Sequence, residues 1–215
     1  MTLPLPLRNR LADLILDALH DGDARRGLEA LAAVCGNPRA LDAGALPPGF
    51  PAELFDRRPD GWQLKSGFRQ HAGALGDRAA RAARALADRP LSATDPPLDI
   101  ALGEAAVLFE AGLHFEVHEV LEPYWMRSEG AERQALQGLI QAAVGFQHLV
   151  NGNVEGARAL LHEGAAKLIG QRLAGRDLDA FAHALIRCER EIVALGAEAA
   201  RGFDWSAAPR FPSEA

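Results

Sequence analysis

The chain contains few of the residues and motifs that identify a reaction directly. Its 215 residues include two cysteines, and aromatic residues make up 6% of the chain. Cys35 and Cys188 lack the short spacing of a metal-binding cysteine pair, so we expect two buried, reduced thiols. Phosphate-binding loops, dinucleotide-binding glycine patterns and the Gly-x-Ser-x-Gly motif are absent. The sequence therefore argues against the common nucleotide-dependent enzymes and serine hydrolases.

The sequence also lacks a long hydrophobic run and an excess of positive charge. No segment approaches the roughly 20 apolar residues of a membrane-spanning helix. The formal net charge is −6, which argues against binding to nucleic acid or to an acidic membrane. The first residues lack the basic and apolar regions of a signal peptide. These absences predict a cytoplasmic protein that has neither nucleic-acid nor membrane partners.

Helix-forming residues, alanine above all, are what the chain does contain. Hydrophobic residues make up 48% and charged residues 24% of the chain, a balance that is typical of globular proteins. Alanine is the best helix former, and apolar residues recur at helical spacing without the alternation of strands. We therefore expect an all-α protein, a multi-helix bundle with antiparallel central helices and an extra N-terminal helical segment.

Proline and glycine divide the chain into three predicted parts. Residues 1–95 are expected to form an N-terminal helical segment with a Pro/Gly-rich loop at 36–61. Breaker residues at 91–97 precede a helical bundle over 96–200, and residues 201–215 are expected to form an extended tail. Within the bundle we predict helices at about 98–125, at 133–150, at 153–169 with Asn153 as N-cap, and at 177–195.

Polar side chains follow one face of the predicted helix at 98–125. His114, His118 and Glu122 are spaced i, i+4 and i+8, so they share one side of a helix. Apolar residues surround them on the helical wheel and also cover the opposite side, which predicts a central helix. A buried hydrogen-bonding group without a partner costs about 1–3 kcal/mol. We therefore expect an organised polar site on this helix.

A second polar stripe lies on the predicted helix at 133–150. Three of its residues project to one side, namely Gln137, Gln141 and His148. Gly138 and Gly145 lie on the adjacent line, where their lack of a side chain favours close approach of another backbone. A short connection between the two helices predicts an antiparallel pair, in which His118 and Glu122 meet the second stripe.

Together these residues resemble the domain-of-unknown-function family 309, an all-helical bacterial and archaeal domain without an established activity. The resemblance covers about residues 103–170. It depends on two blocks, the first comprising Gly112, Phe115, Glu116, His118, Glu119, Leu121, Glu122 and Trp125, the second Gln137 to Gln141, His148, Asn153, Gly156 and Ala157. His114 stands where the family typically has an aromatic residue, so the resemblance implies that His114 is not an essential ligand.

Three interpretations of these polar groups stay open. The first is a buried hydrogen-bond network that fixes the helix register and binds nothing. The second is a divalent metal site formed by His118, Glu122 and His148, with His114 as a weaker candidate ligand. Glu119 would then be a further ligand or the general base of a hydrolase.

The third interpretation is a small-molecule or peptide-binding module, in which Trp125 and Phe146 close a pocket. The site candidates shared by these interpretations are His118, Glu119, Glu122, Gln137, Gln141, His148, Glu116 and Trp125. We expect a buried His/Glu/Gln site in a cytosolic binding or interaction module, and a metal-dependent hydrolase using His118, Glu119, Glu122 and His148 is the alternative. The cofactor, the partner and the oligomeric state are not predicted.

Overall fold

The computed structural model describes residues 3–41 and 46–213, and it confirms the all-α, multi-helix class. The chain divides into two compact units, Met1–Pro96 and Pro97–Ala215. No helix within the described residues is both long enough and apolar enough to cross a membrane.

Within its described residues, the first unit combines three α-helices with a short hairpin. Its elements are α1 (Leu5–His20), α2 (Gly22–Gly36), β1 (Phe55–Arg58), β2 (Gly61–Leu64) and α3 (Ala72–Leu86). The hairpin differs from the strand-free expectation. Its strands pair in antiparallel register with Phe55 opposite Leu64, and Gly61 has the positive φ of 118° that ends the turn. Four-residue strands are too short for an alternating pattern to be recognised in the sequence.

The second unit contains the predicted bundle. Its elements are α4 (Leu98–Glu110), α5 (His114–Arg127), α6 (Gly130–Val150), α7 (Val154–Leu168), β3 (Arg172–Leu173), β4 (Arg176–Asp177), α8 (Asp179–Leu195) and α9 (Ala199–Gly202). Consecutive helices from α4 to α8 pack against each other, and short connections make such neighbours antiparallel. The strands β3 and β4 form a two-residue hairpin.

The helix predicted at about 98–125 is two helices, which corrects the sequence-based expectation. The break lies at Gly112, whose φ of 68° is outside the helical range. The amide of Gly112 donates to the Phe109 carbonyl and the amide of Leu113 donates to the Leu108 carbonyl, both at 2.9 Å. These two bonds form a Schellman motif, which satisfies the last carbonyls of α4. Pro123 lies inside α5.

The helices α6 and α7 are held at very short range by glycine. A Cβ added to Gly138 would lie 2.7 Å from the Leu168 side chain and 3.0 Å from the Gly164 carbonyl oxygen. A Cβ added to Gly164 would lie 2.9 Å from the Gly138 carbonyl oxygen, and one at Gly145 would lie 3.0 Å from Leu161. The glycine line of α6 therefore faces α7.

The C-terminal residues begin with α9 and a 3-10 turn at Trp205–Ala207 and then run without helix or strand to residue 213. Phe203 and Phe211 are buried, whereas Trp205 is 44% exposed. The Phe211 ring lies 5.5 Å from Phe109 and 5.9 Å from Phe181. The tail therefore packs its aromatic rings on α4 and α8.

Candidate functional site

One group of polar side chains on α5 has the spacing of a ligand-binding site. His118, Glu119 and Glu122, here called the α5 cluster, each offer one ligand atom, and these atoms all lie within 4.8 Å of one another. The i, i+1, i+4 spacing places the three side chains over one turn of the same helix. His118 Nδ1 lies 2.9 Å from a Glu119 carboxylate oxygen. The cluster therefore joins one imidazole to two carboxylates.

The α5 cluster is half-buried, whereas the sequence predicted a buried site. The side chains of His118 and Glu119 are 28% and 32% exposed, and Glu122 is also half-buried. The fully buried carboxylate of α5 is Glu116, at 0% exposure. Water and ions can therefore reach the α5 cluster, and its charges are not forced to find protein partners.

Gln137, Gln141 and His148, here called the α6 stripe, do not join the α5 cluster. Among the described residues, no hydrogen bond links the α6 stripe to the α5 cluster. Gln141 instead donates from Nε2 to Glu163 of α7 at 2.7 Å, and its Oε1 is buried without a hydrogen-bond partner. For Gln141 the structure corrects the expected contact with α5, because the glycine line beside this residue faces α7.

His148 contacts the helix that follows it. Asn153 donates from Nδ2 to His148 Nδ1 at 2.7 Å, and Asn153 Oδ1 accepts from the Gly156 amide at 3.0 Å. A Cβ at Gly156 would lie 2.6 Å from Asn153 Nδ2 and 2.8 Å from His148 Nδ1. The three residues therefore form one capping arrangement at the α6–α7 connection.

The position of His148 along α6 excludes it from the metal set that we expected with His118 and Glu122. The rings of His114 and Phe146 lie 5.6 Å apart. This contact places these two residues at about the same height along the α5–α6 pair. In an antiparallel pair with this register, His148 lies about six residues beyond His118, or about 9 Å along the axis. His148 is accordingly not one of the three residues whose ligand atoms lie within 4.8 Å.

His114 belongs to the aromatic core of the second unit. It is 4% exposed, and its ring lies 5.1 Å from Phe109, 5.6 Å from Phe146 and 6.2 Å from Trp205, stacked on the last. Here His114 packs as an aromatic side chain, which suits the aromatic character expected at this position. It lies outside the α5 cluster.

Trp125 links the end of α5 to the start of α6. The guanidinium of Arg133 lies 4.1 Å from the centre of the Trp125 ring, and Arg133 also donates to the Trp125 carbonyl at 2.7 Å. Sequence reasoning missed Arg133 and Glu163 as partners of the predicted residues. Both partners lie beyond a helix connection, where periodicity within one helix gives no signal.

A surface cavity of about 780 Å³ in the second unit lies beside the Asn153 cap, and no residue of the α5 cluster lines it. It is lined by the start of α7 and the end of α8, including Asn153, Arg158, Ile192 and Val193. Neither Trp125 nor Phe146 lines this cavity, so it is not the pocket that the sequence predicted. Cys188 packs nearby in α8, and burial raises the pKa of its thiol to about 11, which leaves it protonated and unreactive at neutral pH.

The break at Gly112, the α5 cluster and the Asn153 cap all lie in one segment. Residues 102–160 match the family model described as Domain of unknown function (DUF309). This match confirms the resemblance over that segment. Neither a curated protein nor a solved structure matches the chain.

The DUF309 segment runs from α4 into α7, so it includes the whole of α5 and α6. Two of its motif blocks now have separate structural explanations. The second block contains the residues of the α6–α7 junction, which hold two helices together. The first block contains the α5 cluster, which joins no two helices by hydrogen bonds among the described residues. Hydrogen bonding between helices therefore does not explain the α5 cluster within the described residues.

Proposed function

We propose that the DUF309 segment is a ligand-binding helical module, and that its ligand is a divalent cation bound by the α5 cluster. The observation that carries the proposal is the mutual separation of the three ligand atoms, all within 4.8 Å. Tetrahedral zinc at about 2.0–2.2 Å from its ligands holds the ligand atoms about 3.3–3.6 Å apart. Side-chain rotations that move the carboxylate oxygens by about 1 Å would therefore bring the cluster to coordination distance. One imidazole and two carboxylates suit zinc, and they also suit manganese or iron.

The exposure of the α5 cluster favours a ligand over a purely structural network. A structural network is needed where polar groups are cut off from water, but the side chains of His118 and Glu119 are 28% and 32% exposed. Their hydrogen bond joins neighbours on one helix. Such a local bond contributes nothing to the register between helices.

Metal-dependent hydrolysis is the second candidate, and the open position of the cluster is the observation that favours it. Three protein ligands leave at least one coordination position of zinc to water, as catalytic zinc sites require. His148 is not part of this version of the site, since it is not among the three residues whose ligand atoms lie within 4.8 Å of one another. Release of nitrophenol from nitrophenyl esters and phosphates by the zinc-loaded protein, absent in Glu122→Ala, would support this candidate.

The proposal is tested by metal analysis and metal titration of the full chain, purified without an affinity tag. We expect one zinc ion per chain, and we expect His118→Ala and Glu122→Ala each to weaken zinc binding by tenfold or more. Glu119→Gln is expected to weaken it by about tenfold as well, because it removes a ligand or the carboxylate that orients His118. Affinity should fall in acidic solution, since protonated imidazole does not bind metal.

His183 provides a matched control for this titration. It forms an i, i+4 pair with Asp179 on α8, with Nδ1 3.3 Å from the carboxylate, but the pair has no third ligand residue among those that the structure describes. His183→Ala should therefore leave zinc affinity unchanged. Zinc affinity that survives both His118→Ala and Glu122→Ala, or the absence of stoichiometric binding, would overturn the proposal.

We include a cytoplasmic location in this proposal. Cys35 and Cys188 are both free thiols, and unpaired cysteines are typical of proteins in reducing compartments.

A further inference from the structure

The first unit contains a small cavity that the cation proposal does not involve. The cavity has a volume of about 190 Å³ and lies where the end of α2, the β1–β2 hairpin and the start of α3 meet. Its wall is mainly apolar, formed by Val34, Pro38, Phe55, Trp62 and Leu64. An apolar wall around a cavity of this size is a feature of small-molecule sites.

The aromatic side of the cavity is fixed by its neighbours. Phe55 and Leu64 are opposite each other in the hairpin, and both are buried. The Phe50 ring lies 5.0 Å from Phe55 and 6.2 Å from Trp62. Phe55 and Trp62 are therefore held in place by packing and present a pre-formed aromatic wall.

The rim of the cavity carries positive charge. Arg69 lines the cavity, and Arg57 lies directly opposite Trp62 in the hairpin. Among the described residues, neither arginine forms an ion pair. The one hydrogen bond of Arg69 runs from Nε to the Leu64 carbonyl at 3.4 Å, which is long for a bond of this kind. The guanidinium of Arg69 thus keeps most of its donors for a ligand.

The carboxylates of this region are already bound to other groups. Glu53 is 2.6 Å from Arg10, Asp56 is 3.4 Å from Arg58, and Asp60 accepts from Gln63 at 2.6 Å. Cys35 also lines the cavity, and burial raises the pKa of its thiol to about 12, so it adds no negative charge at neutral pH. Within the described residues, no carboxylate therefore neutralises the positive charge of Arg69, and an anionic ligand could do so.

We propose that this cavity binds a small carboxylate that carries a single aromatic ring, with the ring against Trp62 and Phe55 and the carboxylate on Arg69. The size supports one ring, because an apolar cavity of about 150 Å³ holds benzene and this one is slightly larger. A guanidinium binds a carboxylate through two parallel hydrogen bonds. The aromatic wall and the unpaired arginine together select an aromatic acid over a neutral ring or an inorganic anion.

Benzoate is the probe for this proposal, and uncharged benzamide is its matched control. Titration of the full chain, followed by calorimetry and by saturation-transfer NMR, should show benzoate binding in the millimolar range or tighter and benzamide binding more weakly. Arg69→Gln should weaken benzoate binding by about tenfold, the effect of losing a charge-assisted bond, and leave benzamide unchanged. Arg69→Lys should have an intermediate effect, because lysine keeps the charge without the paired donors.

Two further measurements locate the ligand. The indole N–H resonance of Trp62, assigned by its loss in Trp62→Phe, should shift when benzoate binds, because Trp62 lines the cavity. Arg84→Gln changes an exposed arginine of α3 that does not line the cavity, and it should bind benzoate as the unchanged protein does. The proposal is overturned if benzoate does not bind at millimolar concentration, if benzamide binds equally well, if Arg69→Gln has no effect, or if the Trp62 resonance does not shift.

Discussion

The α5 cluster and the α6 stripe have the same helical periodicity and a different outcome in the structure. The three residues of the α5 cluster stay together, with ligand atoms within 4.8 Å of one another. The members of the α6 stripe differ in their contacts, since Gln141 bonds to Glu163 and His148 bonds to Asn153. Periodicity predicts which residues share a face, whereas the packing of that face decides whether they form a site.

Glycine explains much of this difference. Gly138, Gly145 and Gly164 bring α6 and α7 so close that added Cβ atoms would overlap the facing helix. Gln141 and His148 lie beside this line, and both contact residues of α7 or of its N-terminal cap. The α5 cluster has no such glycine line and keeps part of its surface in water.

The largest effect that we expect comes from filling the α6–α7 contact. Gly164→Val would place Cβ 2.9 Å from the Gly138 carbonyl oxygen and 3.2 Å from the Ala142 amide nitrogen. Backbone atoms cannot move aside cheaply, so we expect the free energy of unfolding to fall by about 2–3 kcal/mol. Urea unfolding followed by circular dichroism measures the loss.

Gly103→Ala is the control for that substitution. Gly103 lies inside α4, and in the described part of the chain a Cβ there would meet nothing within 4 Å beyond its own helix. Alanine should therefore stabilise the protein by about 0.5–1 kcal/mol through helix propensity. Equal effects at the two positions would show that α6 and α7 do not pack through glycine.

A smaller effect is expected from the cap at the α6–α7 junction. Asn153→Ala removes both the acceptor for the Gly156 amide and the donor to His148, and we expect a loss of about 1 kcal/mol. Asn153→Ser should recover much of this loss, because a serine hydroxyl can still cap the helix. Thermal unfolding of both variants separates the two bonds, and a serine variant as unstable as the alanine variant would make the His148 contact the main contribution.

The smallest effect that we expect concerns the hydrogen bond between Gln141 and Glu163. A double-mutant cycle of Gln141→Ala with Glu163→Ala should give a coupling of about 0.5 kcal/mol, as expected for an exposed hydrogen bond to a charge. The cycle of Gln141→Ala with His118→Ala should give no coupling, since no hydrogen bond joins these two residues in the described part of the chain. Coupling in the second cycle alone would restore the facing arrangement that the sequence predicted.

Several features could be predicted from local sequence because their causes are local. The helix predicted at 133–150 is α6 over Gly130–Val150, and the predicted N-cap Asn153 accepts from the Gly156 amide. The break at Gly112 was missed although the glycine was visible. Apolar periodicity continues on both sides of it, and that pattern does not distinguish one long helix from two helices joined by a Schellman motif.

The helical class, most helix ends and the shared face of His118 and Glu122 follow from local sequence, because they depend on interactions within a few residues. The contacts of Gln141 and His148 with α7, and the accessibility of the α5 cluster, depend instead on how the helices pack. The rotation of α6 about its own axis is set by the close packing of its glycine line against α7. That packing depends on side chains far away in the sequence, such as Leu161 and Leu168 on α7.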